Sequence, residues 1–308
     1  MRPWLLRAAV TVLAVALGVA LGAGPLQHSN SERDKELADQ RAQVVRLQHR
    51  VEGLRSSAAF ADGYATATGP SLVQDALAGR SVALITLAGA DPDTVTRLRA
   101  LVGVAKGQIT AQVDLAQRAT QSSGRQLVEA LTSQMATQTP GLTLPADASG
   151  YERFGALLAR AVGTGPTGQP ARAAYDPTAV GIVSGLQSAD LIGVPQPAAA
   201  RAGLALVVAG PAASSDADAS ENAVPVTILQ ALAEQLPTVV VGPTDAAGAR
   251  GLIGALRASG PAKGVVSTVD TAQTATGQVI GILALAARAR GTVGAYGAVH
   301  AADGVLPR

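Results

Sequence analysis

The stretch LLRAAVTVLAVALGVALGAGPL, residues 5 to 26, constrains this chain more than any other. No charged residue occurs between Ala8 and Asn30. The strongly apolar part, Ala8 to Gly24, reaches the lower end of the about 17 to 25 residues that span a bilayer. Arg2 and Arg7 supply a basic start and Ala20-Leu21-Gly22 a tolerable cut, so a cleaved export signal and a retained anchor are both open at this point. Length favours retention, because the apolar core of a signal usually has about 7 to 15 residues, and Pro25 interrupts any later cut. On either reading the rest of the chain is exported. We therefore expect residues 1–29 to be an N-terminal plasma-membrane anchor or uncleaved signal with an extracytoplasmic region behind it. The orientation rests on the basic start, since Arg33, Lys35 and Arg41 weaken the charge asymmetry.

Directly after the apolar run, SERDKELADQRAQVVRLQHRVEGLRSS is polar and helix-prone. With Leu37, Val44 and Val51 at one core position of a heptad and Gln40, Leu47 and Leu54 at the other, five of six seam residues are apolar. The spacing predicts a short coiled-coil stalk over 30–60; a solitary amphipathic helix folded against the following domain is the alternative. Gln40, the one polar seam residue, is of the kind that fixes register at a cost in stability. Gly18 and Gly22, a G-x-x-x-G pair in the apolar run, would let two helices approach closely. Together they favour a parallel homodimer, with Leu37, Val44, Leu47, Val51, Leu54, Gly18 and Gly22 as its interface or as the seat of a partner.

Gly69 and Pro70 are expected to close the helical region. Beyond them, short β-branched runs alternate with helical stretches, the α/β signature. Strands are expected at 81–88, 108–115, 204–210, 238–243 and 264–270, with a shorter one at 190–194. Helices are expected at 91–105, 123–135, 151–162, 177–188, 221–235, 248–258 and 276–289. Asp91 caps the first of these helices and Pro92 occupies its first turn. Strands this apolar are buried on both faces, so 70–300 reads as a doubly wound, mostly parallel α/β domain with a helical insertion near 140–190 and a flexible tail at 301–308.

Composition narrows the functions. The 308 residues are enough for a packed core, and at 48% hydrophobic and 15% charged the chain is not disordered; aromatic residues are only 2%, so the core is aliphatic. The net charge of +2 is spread without a basic stripe, which with so few aromatics argues against nucleic acid as a partner. The absence of cysteine excludes disulfides, thiolate metal sites and a cysteine nucleophile.

No motif commits the chain to catalysis. GTGPTG (163–168) has the letters of a dinucleotide fingerprint, but a helix precedes it and Gln169-Pro170 follows, so it reads as a loop. The histidines, His28, His49 and His300, lie far apart in sequence, with no G-x-S-x-G or H-E-x-x-H beside them. Asp216, Asp218 and Glu221 read as a solvated loop leading into a helix rather than a cation site. The chain is read as non-enzymatic. Two strands end alike, VVAGPAAS and VVVGPTDA, and loops at such ends bind ligands in open α/β folds; the alternative is that Gly210-Pro211 and Gly242-Pro243 simply turn the chain.

The carboxyl-terminal stretch STVDTAQTATGQVIGILALAARARGTVGAYG (267–297) resembles the end of the mycobacterial copper transport protein B family, the copper transport outer membrane proteins of actinobacteria. Those chains carry a similar STVD, a glycine-led helix and a G-x-Y-G close. The amino end is similar too, with its R-x-x-x-x-x-V start, the run ending LGAGPL and a stalk. The resemblance spans nearly the whole chain and implies a retained anchor. It also implies copper efflux or homeostasis across the cell envelope, with copper as the one metal in question and the outer membrane as location by family name only. Where the family can show G-H-Y-G, this chain has Gly294-Ala295-Tyr296-Gly297, which leaves His300 as the nearby metal candidate. Copper(I) favours sulfur ligands, and only Met1 and Met135 offer any. The lack of long alternating strands and aromatic girdles argues against a barrel. Some relatives are associated with septum formation and control of peptidoglycan hydrolases, which implies the alternative of a dimeric scaffold acting on a cell-envelope or divisome protein.

Overall fold

Runs such as SVALIT and TVVV have no polar face to offer water, so they are stable only as strands covered on both sides. The computed structural model, which describes residues 25–142 and 144–307, places them at the centre of a seven-stranded sheet. The strands in chain order are β1 (Ser81–Thr86), β2 (Gln108–Leu115), β3 (Arg172–Ala173), β4 (Ile192–Gly193), β5 (Arg201–Ala202), β6 (Leu204–Val208), β7 (Thr238–Val241), β8 (Val266–Val269) and β9 (Ala295–Tyr296). The sheet order is β4-β2-β1-β6-β7-β8-β9, and β3 and β5 form a separate antiparallel pair. Every neighbouring pair in the large sheet is parallel except β2 and β4 at one edge. The chain is thus a mixed α/β protein with a large, mostly parallel sheet.

The chain divides into two units, one up to Phe60 and one from Ala61 onward. In the first, helix α1 (Pro25–Val73) begins, and from residue 35 to residue 60 every one of its side chains is exposed. The expected anchor at 8–24, with Gly18 and Gly22, lies outside the described residues. Among those described, no helix is long and apolar enough to cross a membrane.

In the second unit α1 does not end at Gly69-Pro70 as expected but runs through Pro70 to Val73. Proline forfeits one backbone hydrogen bond there. Tertiary contact compensates, because Asp62, Ala65, Thr68, Gly69 and Val73, which recur on one helix face, are the covered positions, and Gly69 and Val73 are buried.

The remaining principal helices are α2 (Pro92–Val104), α3 (Arg125–Thr137), α4 (Gly150–Val162), α5 (Pro177–Ser188), α6 (Ala223–Gln235), α7 (Leu252–Ala258) and α8 (Ala275–Arg288). Their starts are written in the sequence. Asp91 accepts from the Thr94 N–H with Pro92 behind it, Asp176 does the same for Ala179, Ser149 and Glu152 form a capping box, and Thr274 caps α8.

One face of the sheet (Ala83, Ile85, Val113, Val207, Val240) packs on α4, α5, α6 and α7 through Phe154, Leu157, Leu186 and Ile228. The other (Val82, Leu84, Leu206, Val241, Val269) packs on α2 and α8 through Leu98, Val102, Ile280 and Leu285. The segment expected as a helical insertion therefore supplies much of one covering layer. The crossovers to β7 and β8 run through helices on the first face, whereas α8, which leads to β9, lies on the second. Since all three step across the sheet in the same direction, the last has the opposite hand to the others, an arrangement parallel sheets strongly avoid. Something beyond two residues of ladder must hold β9.

Candidate functional site

The part of an open parallel sheet that binds ligands lies outside the carboxyl ends of its strands, where neighbouring strands run their chains in opposite directions. Here that point falls between β1 and β6, since β1 connects outward to β2 on one side while β6 leads to β7 on the other. The ladder continues one residue past each strand: Leu87 donates to Val208 O (3.0 Å), Ala209 to Val241 O (2.8 Å) and Gly242 to Val269 O (2.9 Å). Gly210 then lies so close to the β1 loop that a Cβ would come within 2.8 Å of both the Ala88 carbonyl oxygen and the Gly89 carbonyl carbon. Glycine at this position lets two loops seal onto each other. The Gly-Pro turns thus close the sheet ends, and the open space is displaced sideways.

That space is a crevice of about 260 Å³ with an apolar floor of Leu87, Pro211, Pro225 and Leu252 and a polar rim of Gln117, Gln121, Asp218, Glu221 and Asn222. The rim is pinned from several sides. Glu221 accepts from the Ser122 hydroxyl (2.7 Å) and backbone N–H (2.6 Å), bonds that hold its carboxyl below the usual range. Asp218 accepts from the Ser215 hydroxyl (2.7 Å), and Asn222 donates to Arg250 O (3.1 Å). Next to it a hollow of about 280 Å³ lies beside Tyr151, whose hydroxyl donates to Gln121 O (2.9 Å) and whose burial raises its pKa. A third, larger groove of about 490 Å³ lies between the last turns of α1, α2 and the start of α8, where the Asp62 carboxylate accepts from the Ala275 N–H (2.5 Å).

The residues singled out in sequence fall elsewhere. Leu37, Val44, Leu47, Val51 and Leu54 all lie on α1 and are each 43–65% exposed, an apolar row without cover among the described residues. His300 is exposed, in a loop conformation with φ 50°, and His49 is exposed on α1. Among the described residues no group of three or more histidine, aspartate and glutamate side chains could hold a metal ion. The Met135 side chain is committed to packing, partly buried against the core with its thioether facing Gly185. Asp216, Asp218 and Glu221 do not converge: Asp216 pairs with Arg250 at 3.7 Å, while the other two are bonded as described.

Sequence reasoning did not find the most buried charge. Asp270, the last residue of STVD, has no exposed surface. It accepts from the backbone N–H groups of Ala298 (2.7 Å) and Val299 (2.9 Å) and pairs with Arg257 at 2.8 Å. Arg257 also donates to the Thr268 hydroxyl and the Tyr296 carbonyl, both at 2.9 Å, and to the Val299 carbonyl. These bonds hold β9 where its two-residue ladder alone could not. Gly297 has φ 130°, and a Cβ there would sit 1.9 Å from Asp270 Oδ1. STVD and the G-x-Y-G close are therefore the two halves of one clasp, with Arg257 between them. No signal in the sequence marks Arg257, which lies in an unremarkable helix.

Two relatives named "Copper transporter MctB", from Mycobacterium tuberculosis (strain ATCC 25618 / H37Rv) and Mycobacterium bovis (strain ATCC BAA-935 / AF2122/97), are each 29% identical over 310 residues, covering 96% of this chain and 95% of theirs. The sequence model of one family matches residues 7–307, from the basic start through the STVD and G-x-Y-G segments. On that match the chain belongs to the family described as copper transport outer membrane protein, MctB.

Proposed function

We propose that this protein is a membrane-anchored envelope protein that takes part in copper efflux or homeostasis as a non-enzymatic scaffold, paired with a second copy through α1. The observation that carries the reading is the row Leu37, Val44, Leu47, Val51 and Leu54. Five large apolar side chains at heptad spacing, all exposed, have the pattern a partner helix covers. Family membership and the relatives' name supply the copper connection. Donor chemistry supports an indirect role, because the sequence has no cysteine and its two methionines include one packed against the core. Copper is cargo in this reading, and its route belongs to an envelope partner that the scaffold positions.

The test is total copper per cell in a deletion strain and its parent across a graded copper supply. The reading expects excess copper in the deletion strain, reversed by the wild-type gene. Equal copper in both strains would reject the copper role and leave a dimeric scaffold acting on cell division or peptidoglycan hydrolysis.

A further inference from the structure

We propose that the crevice beside the ends of β1 and β6 binds a neutral, hydroxyl-rich ring of monosaccharide size. Its position is the usual ligand seat of this sheet order, moved aside by the closure of Gly210 onto Ala88 and Gly89. At about 260 Å³ it lies just below the range of drug-sized pockets, so it admits a single small ring and not a dinucleotide.

Charge narrows the class further. Doubly wound folds that bind phosphorylated ligands place a helix N-terminus at this point, whose free N–H groups and dipole favour negative charge. Here α6 begins at the crevice, but Glu221 and Asp218 stand at its rim, and Pro225 removes a donor from its first turn. Glu221 is held ionised by Ser122. Among the described residues no lysine or arginine lines the crevice to offset them. An anion is therefore repelled where the fold would otherwise welcome it.

What remains is a set of neutral partners. Gln117 and Gln121 line the crevice, each amide having two donors and an acceptor, and Asn222, whose Nδ2 donates to Arg250 O, lines it as well. Leu87, Pro211, Pro225 and Leu252 supply the apolar part of the lining. A lining that combines amides and carboxylates with apolar side chains matches a ring that carries hydroxyls at its edge and C–H groups on its face. The inference is independent of the scaffold reading, since it concerns a different surface from the α1 row.

The test is ligand-observed saturation-transfer NMR on the full chain, in a detergent without a sugar headgroup, with glucose, N-acetylglucosamine and glucose 6-phosphate as probes. The proposal expects transfer to the ring C–H protons of at least one neutral sugar and binding of glucose 6-phosphate at least about tenfold weaker than glucose. Gln121→Leu should raise the dissociation constant about tenfold, the scale of one lost hydrogen bond to a bound ligand. Gln117→Leu provides an independent check should Gln121→Leu fold poorly. Glu221→Gln should narrow the gap between glucose 6-phosphate and glucose. Absence of transfer to every sugar, equal binding of the phosphate in the wild type, or unchanged binding by folded Gln117→Leu and Gln121→Leu would overturn it.

Discussion

Asp270 shows how much one side chain can organise. A carboxylate with no exposed surface is tolerated because Arg257 and two backbone N–H groups surround it, and truncating one member of such a pair costs about 3–5 kcal/mol. Arg257→Met is therefore expected to lower the stability of the globular unit by about that amount in chemical denaturation. Asp216→Ala, which removes a partner 97% exposed to water, is expected to leave the midpoint unchanged. Gly297→Ala, at φ 130° and against Asp270, should cost at least about 2 kcal/mol, whereas Gly304→Ala, with open space around it, should cost less. Asp176 gives the pH dependence. Burial pushes its carboxyl up, but the Ala179 N–H, Arg160 and Arg201 outweigh that and hold it below its ordinary value. Its stabilisation is then complete above the unfolded value of about 4 and is lost as pH falls through the folded one. Acid titration of unfolding free energy should show a steeper loss below about pH 4 in the wild type than in Asp176→Asn.

At the scale of elements, the sequence was most legible where local chemistry decides the outcome. The cap at Asp91 and the runs at 108–115 and 177–188 are local signals, and those elements form where the pattern places them. Strands expected to extend to 210, 243 and 270 end earlier, because Gly210 and Gly242 already belong to the sealing loops and Asp270 to the clasp. The stop at Pro70 misled for the opposite reason, since contacts distant in sequence carry α1 past it. Of the candidate site, the α1 row could be read from heptad spacing, whereas the crevice could not: Gln121, Glu221 and Leu252 meet only through topology. From residue 35 to residue 60 every side chain of α1 is exposed among the described residues, and an isolated helix draws little stability from propensity alone. Val44→Glu with Leu47→Glu should therefore reduce the mass of the full chain in micelles from two copies to one, while the thermal transition of the sheet unit stays in place. A two-copy mass in that variant would move the contact to another surface.

At the scale of the whole molecule, the chain joins a helix with an uncovered apolar row to a sheet unit whose strand ends are sealed and whose strongest charge pair serves packing. Its donor set is poor for copper(I), yet its family is named for copper transport. The proposed scaffold would reconcile the two, because pairing of α1 and engagement of an envelope partner would influence copper without a ligand set in this chain. The most direct test is the copper content of a deletion strain carrying the Val44→Glu and Leu47→Glu variant, expressed at the wild-type level and grown across a graded copper supply. The account predicts copper accumulation matching that of the deletion strain. Restoration to the parental level by a variant shown to be monomeric would contradict it and place the function in the sheet unit alone.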